Sequence, residues 1–238
     1  MLNNLPIFIA VLFGLTTLVT LLLFYWVLRN SRITSKKLAL ILIGLTDWLI
    51  LQAIFTYIGI YSENIHSFPP KLFLFGVAPA IITIIILFVT KNGRAFIDSL
   101  SLDKITYLHV VRIPVEICLY WLFIYKAIPQ LMTFEGRNFD ILAGITAPLV
   151  AYFGIVKGKW SKQILLLWNF ICLGLLANIV ITALLSAPFP FQKLAFDQPN
   201  IAIFYFPFSW LPTFIVPMVL FAHLVSIRKL ILKKDIDQ

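Results

Sequence analysis

Seven long apolar stretches constrain the fold of this chain more than any other feature. Each reaches about the 20 residues that a helix needs to cross a hydrocarbon core of roughly 30 Å. Because the stretches are continuous, and not alternating apolar and polar segments of about ten residues, they predict helices and not a barrel. We therefore expect an all-α integral membrane bundle of seven transmembrane helices. The predicted spans are 5–28, 38–61, 71–90, 104–128, 139–156, 164–186 and 201–227.

The connections between these spans are short, so we expect residues 1–238 to form a single transmembrane domain. Only 12% of the residues are charged, against about 25% in an ordinary soluble domain. No connection is long enough for a soluble domain or a nucleotide-binding loop. The first span is expected to remain as a helix, because "MLNNLPIFIA" lacks the basic region that begins a signal peptide.

The distribution of lysine and arginine predicts the orientation. The first, third and fifth connections and the C-terminal tail hold 14 of the 19 basic residues, whereas the N-terminus and the other connections hold four. Cytoplasmic loops are enriched in basic residues, which predicts the N-terminus outside and the C-terminus inside. The net charge of +9 then indicates membrane lipids as partners, through their anionic headgroups, and not nucleic acid.

The stretch "LHVVRIPVEICLY" places ionisable residues inside the fourth span. His109, Arg112, Glu116 and Tyr120 are three or four positions apart, so they lie within one helical stripe. Asp47, in the second span, is expected at a similar depth to Arg112. Because a charge in mid-bilayer costs about 2.5–3.5 kcal/mol, we expect these five residues to form a buried polar cluster. Arg112 should then reach Glu116, Asp47 or both.

Two interpretations of this cluster remain open. Buried polar side chains often hold membrane helices together through hydrogen bonds of about 1 kcal/mol each. Ionisable groups within a membrane are also candidates for a functional site. In an enzyme acting on a lipid or isoprenoid, Glu116 or Asp47 would serve as acid or base with His109 assisting. Arg137 and Asp140 are expected at the outer mouth of the fifth span.

The seventh span, "FYFPFSWLPTFIVP", contains prolines 207, 212 and 217, which predict a bent or broken helix in its outer half. The aromatic residues there form either an interfacial belt or the wall of a cavity. We expect the largest pocket in the outer half, between the fourth and seventh spans, with Glu116 and Tyr120 at its polar floor. The candidate lining residues are Phe204, Tyr205, Phe208 and Trp210.

No cofactor or metal is expected from the sequence. The two cysteines, Cys118 and Cys172, lie within predicted spans and form no zinc-binding pattern. A retinal protein would need a lysine in the middle of the last span, which has none. His109 and His223 are expected near the same inner depth, where two histidines could ligate a haem iron axially. A haem-binding protein is therefore a third alternative.

Two segments, "LHVVRIPVEICLYWLFIYKAIPQLMTFEGRNFDILAGITAP" and "FYFPFSWLPTFIVP", resemble a group of bacterial multi-pass membrane proteins with no assigned function. The resemblance covers the chain from about residue 108 onward. It implies a location in the bacterial inner (plasma) membrane and a seven-helix unit. It implies no activity and no site residue.

The sequence thus favours a ligand-binding or transport-type membrane protein. Its polar centre should lie among the second, fourth and seventh helices, and its ligand should be small and apolar with one polar end. The alternative from another class is a membrane-embedded enzyme.

Overall fold

The structure, a computed structural model, describes residues 5–63 and 65–232, and their regular secondary structure is entirely helical. Short 3₁₀ turns, Gln130–Met132 and Ala202–Phe204, lie in the connections. The helices are α1 (Ile7–Arg29), α2 (Ser35–Tyr57), α3 (Phe73–Val89), α4 (Lys91–Ser99), α5 (Leu102–Ile124), α6 (Ile141–Val156), α7 (Lys162–Ser186) and α8 (Leu211–Leu232).

Five of these helices, α1, α2, α5, α7 and α8, are long and apolar enough to cross a membrane. The count becomes six if α3 and α4, which meet at 91°, are taken as one broken span. Helix α6 is apolar but shorter, about 24 Å at 1.5 Å per residue. The prediction of an all-helical membrane protein is therefore confirmed, whereas seven crossings and their orientation stay predictions.

Hydroxyl side chains cap the N-termini of several helices. Thr34 accepts a hydrogen bond from the Lys37 amide at the start of α2, and Ser161 caps α7 in the same way. At the corner between α3 and α4, Thr90 accepts from the Gly93 amide. A Cβ atom at Gly93 would lie 2.4 Å from the Leu87 carbonyl oxygen. The sharp turn into α4 therefore depends on a glycine at this position.

Helix α6 packs beside the first half of α5 and runs antiparallel to it. Its N-terminal half lies against Leu108–Val111 and its C-terminal half against Leu102–Tyr107. The contact is close at Gly144, where a Cβ atom would come within 2.8 Å of Ile113 Cγ1. Helix α6 consequently begins near the middle of α5.

Residues 125–140 lead from the end of α5 back to this middle level without forming an α-helix. Their carbonyl groups find partners in the connection before α8. The Ala127 carbonyl accepts from the amides of Ile201 and Ala202, both at 3.1 Å. Gln198 Nε2 donates to the carbonyls of Ile128 at 2.6 Å and Phe123 at 3.0 Å. Such irregular backbone is tolerated at membrane depth where protein buries it and satisfies its polar groups.

The predicted break in the seventh span is confirmed. Regular helix starts only at Trp210–Leu211, and residues 205–209 form a bend and turns instead. The first turn of α8, Leu211–Ile215, is π-helical and contains Pro212. Proline supplies no amide donor, which accounts for the irregular start of this helix.

Candidate functional site

The candidate site centres on the buried guanidinium group of Arg112, near the middle of α5. Arg112 Nη1 forms an ion pair with Asp140 Oδ1 at 2.7 Å and donates to the Cys172 carbonyl at 3.4 Å. Asp140 directly precedes α6, and Cys172 lies in α7. The prediction that Asp140 lies at the outer mouth is therefore wrong, because α6 begins at the level of Arg112.

His223 of α8 holds the other end of the guanidinium group. Its Nε2 lies 2.8 Å from Arg112 Nη2, and its Nδ1 lies 3.0 Å from Asn169 Oδ1. A guanidinium group only donates hydrogen bonds, so Nε2 accepts and Nδ1–H donates to Asn169. Asn169 Nδ2 in turn donates to the Leu165 carbonyl at 2.9 Å. These bonds connect α5, α7 and α8 through buried side chains.

His109 stacks on His223, with 3.9 Å between the ring centroids and 25° between the planes. Trp168 packs edge-on against His109 at 5.6 Å, and its Nε1 donates to Thr146 Oγ1. Axial haem ligands need opposite sides of the iron, whereas these two rings are face to face. The haem alternative, with His109 and His223 as ligands, is therefore wrong. Within residues 5–63 and 65–232, no group of three or more His, Cys, Asp or Glu side chains is placed to hold a metal ion.

Glu116 is buried one turn along α5 from Arg112 but does not pair with it. Both carboxylate oxygens accept from Asn138 Nδ2, at 2.6 and 2.7 Å. Asn138 Oδ1 accepts from the Asp140 amide at 3.1 Å. The expected salt bridge from Arg112 to Glu116 is replaced by the one to Asp140, which the returning connection brings into the bundle.

Asp47 was expected in this cluster, and the structure places it elsewhere. It lies on the exposed face of α2, because Trp48 and Gln52 occupy the inward face. Trp48 Nε1 donates to the Thr213 carbonyl at 3.0 Å, and Gln52 Nε2 donates to the Phe75 carbonyl at 3.1 Å. Depth along a span is readable from sequence, but the rotation of a helix is set by such contacts. The inclusion of Asp47 is wrong.

Tyr120 is also separate from the buried cluster. Its ring stacks on Phe134 at 4.9 Å, and its hydroxyl group lies near the carboxylate of Glu135. Both partners lie in the connection between α5 and α6, so Tyr120 faces that connection and not Arg112. Of the five predicted cluster residues, the structure brings together His109, Arg112 and Glu116.

Two cavities in the described part of the chain bear on the predicted pocket. The larger, about 590 Å³, lies between α2, α3 and α8 and is bordered by Lys37 near the start of α2. Of these two cavities, the larger therefore reaches the side predicted to be cytoplasmic, and it does not lie between the fourth and seventh spans as expected. A second cavity of about 130 Å³ lies between α3, α5, α7 and α8, on the predicted outer side. Its walls are apolar except for Arg112, Glu116 and Asp140.

The four aromatic residues predicted to line the pocket border neither cavity, so that prediction is wrong. Phe208 packs on Phe13 with 5.3 Å between the rings. Trp210 Nε1 donates to the Leu49 carbonyl at 3.0 Å. Phe204 and Tyr205 belong to a separate apolar cluster around Tyr61. The break before α8 turns these rings toward neighbouring elements, because the residues are not on a regular helix.

A second buried polar group lies beyond the cluster, and no pattern in the sequence connects its members. Tyr61 donates to Gln52 Oε1 at 2.5 Å, and Thr56 Oγ1 lies 2.7 Å from Ser209 Oγ. Burial raises the pKa of the Tyr61 hydroxyl group, so it remains a donor. This group fastens α2 to α3 and to the residues before α8.

Asn138 and Asp140 are site residues that sequence reasoning missed. They belong to "EGRNFD", which has the composition of a solvated connection. One feature of the sequence could have indicated them: two short polar side chains lie immediately before an apolar helix. Nothing in the sequence indicates that this connection returns to the middle of the bundle.

A family model described as a domain of unknown function (DUF8737) matches residues 68–231, more than half of the chain. The match includes α3 to α8 nearly entirely and therefore all residues of the buried cluster. No curated protein matches the chain, and no solved structure matches it.

Proposed function

We propose that this chain, which belongs to the DUF8737 family, is a membrane-embedded binding protein for an amphipathic molecule with one apolar chain and an acceptor headgroup. The observation that carries the proposal is the 130 Å³ cavity, whose apolar walls close on Arg112, Glu116 and Asp140. Apolar walls with a few convergent polar groups are typical of small-molecule sites.

The size and lining of the cavity favour a narrow ligand. Its volume is below the roughly 300–1,000 Å³ typical of sites for drug-sized molecules. Leu176, Ile179 and Val180 of α7 form one wall, and Ile215 and Val219 of α8 form another. The headgroup end of a single hydrocarbon chain fits such walls better than a ring system, and the rest of a long chain would extend out of the cavity between the helices.

The chemistry of Arg112 favours an acceptor headgroup. Both terminal nitrogens are engaged, Nη1 with Asp140 and Nη2 with His223. Arg112 Nε is buried and has no hydrogen-bond partner among the described residues. A buried unpaired donor costs about 1–3 kcal/mol, so a carboxylate, carbonyl or hydroxyl oxygen bonded there would be stabilising. The fixed guanidinium group would hold that oxygen at the polar end of the cavity.

Native mass spectrometry of the purified, delipidated protein tests this proposal, with oleic acid as the probe. Ile179→Trp fills the cavity and should weaken oleic acid binding at least tenfold. Ile171→Trp is the matched control, because Ile171 is exposed on the same helix, about two turns away. Octadecene, which has the chain but no acceptor headgroup, should bind less well than oleic acid.

Three results would contradict the proposal: equal binding by both tryptophan variants, equal binding of oleic acid and octadecene, or no binding of oleic acid. Thermal unfolding of each variant in the same detergent establishes that it is folded. Val180→Phe, also at the cavity wall, replaces Ile179→Trp if that variant is unstable.

The proposal includes seven crossings, with the N-terminus outside, in a bacterial plasma membrane. Two observations support the number seven: α6 and residues 125–140 together extend along α5, and α3 reaches Val89 before the chain turns. The distribution of lysine and arginine supports the orientation. The resemblance to bacterial multi-pass proteins supports the location, and short connections support one domain over 1–238.

A further inference from the structure

Asp47 is a carboxylate on the exposed face of a membrane helix, close to the midpoint of α2. Its neighbours on that face are large and apolar: Ile43 is 57% exposed, Ile50 53% and Ile54 49%. In a monomer these side chains would contact lipid, and Asp47 would lie among them. An ionisable group is costly in that position and is found facing protein or water in almost all membrane proteins.

The rotation of α2 fixes Asp47 outward. Trp48, Gln52 and Thr56 follow one another at four-residue intervals and hydrogen-bond inward, to Thr213, Phe75 and Ser209 respectively. Asp47 is five positions before Gln52, which is roughly 140° around the helix. Turning the carboxylate into the bundle would therefore break the polar contacts that attach α2.

Helix α2 is also the least covered of the long apolar helices. Within its most apolar part 11% of the residues are buried, against 28–56% in α1, α5, α7 and α8. An apolar face is the ordinary surface of a membrane helix, but an ionisable group at its centre is typical of a surface that protein or water covers.

The charge of Asp47 identifies the chemistry of that partner. A cation at the same depth would neutralise it, and the described part of this chain supplies none. Its lysines and arginines lie in connections or near helix ends, except Arg112, which is buried and paired with Asp140. A second copy in a twofold dimer through α2 would place one Asp47 near another. A basic side chain must therefore come from a different chain.

We propose that the exposed face of α2 binds a transmembrane helix of another protein that carries a lysine or arginine at mid-depth, paired with Asp47. Gly44 lies almost one turn earlier, at the border between this face and the 590 Å³ cavity, and the space where its Cβ would lie is open for 4 Å. Small residues allow helix backbones to approach closely in membranes. The partner helix can therefore come near enough for the two charges to meet.

The test uses the full chain in liposomes and a synthetic leucine–alanine transmembrane peptide with one central lysine as the probe. Energy transfer between labelled protein and labelled peptide measures association. We expect the lysine peptide to bind the wild-type protein at least tenfold more tightly than a matched peptide with a central leucine. Asp47→Leu should abolish this preference, and Asp47→Asn should reduce it by removing the charge while keeping a hydrogen-bonding group.

Cross-linking locates the peptide on the protein. A cysteine in the peptide next to its lysine should cross-link to Ile43→Cys, on the face of Asp47, and not to Ile171→Cys, on the exposed face of α7. The native cysteines, Cys118 and Cys172, are buried. Equal cross-linking at both positions, or equal binding of both peptides, overturns the proposal. Association between copies of this chain that Asp47→Leu abolishes also overturns it, in favour of a homodimer.

Discussion

Arg112 and Asp140 are 28 positions apart in the chain and form a buried ion pair, with 2.7 Å between Nη1 and Oδ1. This contact joins the middle of α5 to the start of α6. It fixes the level along α5 at which α6 begins, and it keeps residues 125–140 within the bundle. The same guanidinium group borders the proposed ligand cavity, so one side chain connects the fold to the candidate site.

Replacing Arg112 with leucine should destabilise the protein by about 3–5 kcal/mol, because it leaves Asp140 buried without its partner. The double variant Arg112→Leu, Asp140→Leu should be less destabilised than the sum of the two single variants, since it leaves neither charge unpaired. Reversible denaturation in mixed micelles measures the free energy of unfolding.

The ion pair between Arg228 and Asp98 provides a matched control. Its side chains are 24% and 45% exposed, against 3% and 7% for Arg112 and Asp140. Arg228→Leu should therefore cost no more than about 1 kcal/mol. Equal costs at Arg112 and Arg228 would show that the buried pair does not hold α5 and α6 together.

The hydrogen bonds of His223 predict its tautomer. Nε2 faces the guanidinium donor of Arg112, and Nδ1 faces the side-chain oxygen Oδ1 of Asn169. The proton should therefore reside on Nδ1. Nitrogen-15 NMR of the labelled imidazole distinguishes the two tautomers, and His223→Gln identifies the signal. A proton on Nε2 would be incompatible with the contact to Arg112.

Two glycines should respond oppositely to alanine. A Cβ atom at Gly144 would lie 2.8 Å from Ile113 Cγ1 and 3.1 Å from the Ile113 amide nitrogen. Gly144→Ala should therefore cost about 1–3 kcal/mol through overpacking between α5 and α6. Gly174, in α7, has nothing within 4 Å of that position, and Gly174→Ala should be neutral or stabilising by up to about 1 kcal/mol. Thermal unfolding compares the two variants, and equal melting temperatures would contradict the close packing.

Gln198 lies in the connection between α7 and α8, but it should stabilise residues 125–140, the connection between α5 and α6. Its amide nitrogen satisfies the carbonyls of Phe123 and Ile128. Gln198→Leu removes both donors and should cost about 1–3 kcal/mol. Gln192→Leu is the control, because the side chain of Gln192 donates to the carbonyls of Leu194 and Ala195, which lie close to it in the chain. A larger loss of stability in Gln192→Leu than in Gln198→Leu would contradict the prediction, because it would show that the bonds of Gln198 to residues 123 and 128 are not the important ones.

Reporter fusions test the orientation. A fusion after residue 33 and one at the C-terminus should both report the cytoplasm, whereas a fusion within residues 187–200 should report the outside. The reason is the excess of lysine and arginine in the first, third and fifth connections. The reversed pattern at all three sites would contradict the predicted orientation.

The sequence by itself determined that long apolar helices form this protein and that Arg112 and Glu116 are buried within one of them. Long continuous apolar runs can satisfy their backbone groups in lipid only as helices, and this physical requirement holds for any tertiary arrangement. Arg112 and Glu116 were recognisable for the same reason, since a charge inside such a run must be compensated by something.

The tertiary structure alone decided which groups compensate one another. Asp47 and Asp140 illustrate this. Asp47 has the right depth but lies on the outward face of α2, because its neighbours form the inward contacts. Asp140 was expected at the outer mouth of the fifth span, yet an irregular connection carries it to Arg112. Helix rotation and the path of a connection depend on contacts between residues far apart in the chain, and neither leaves a periodic signal in the sequence.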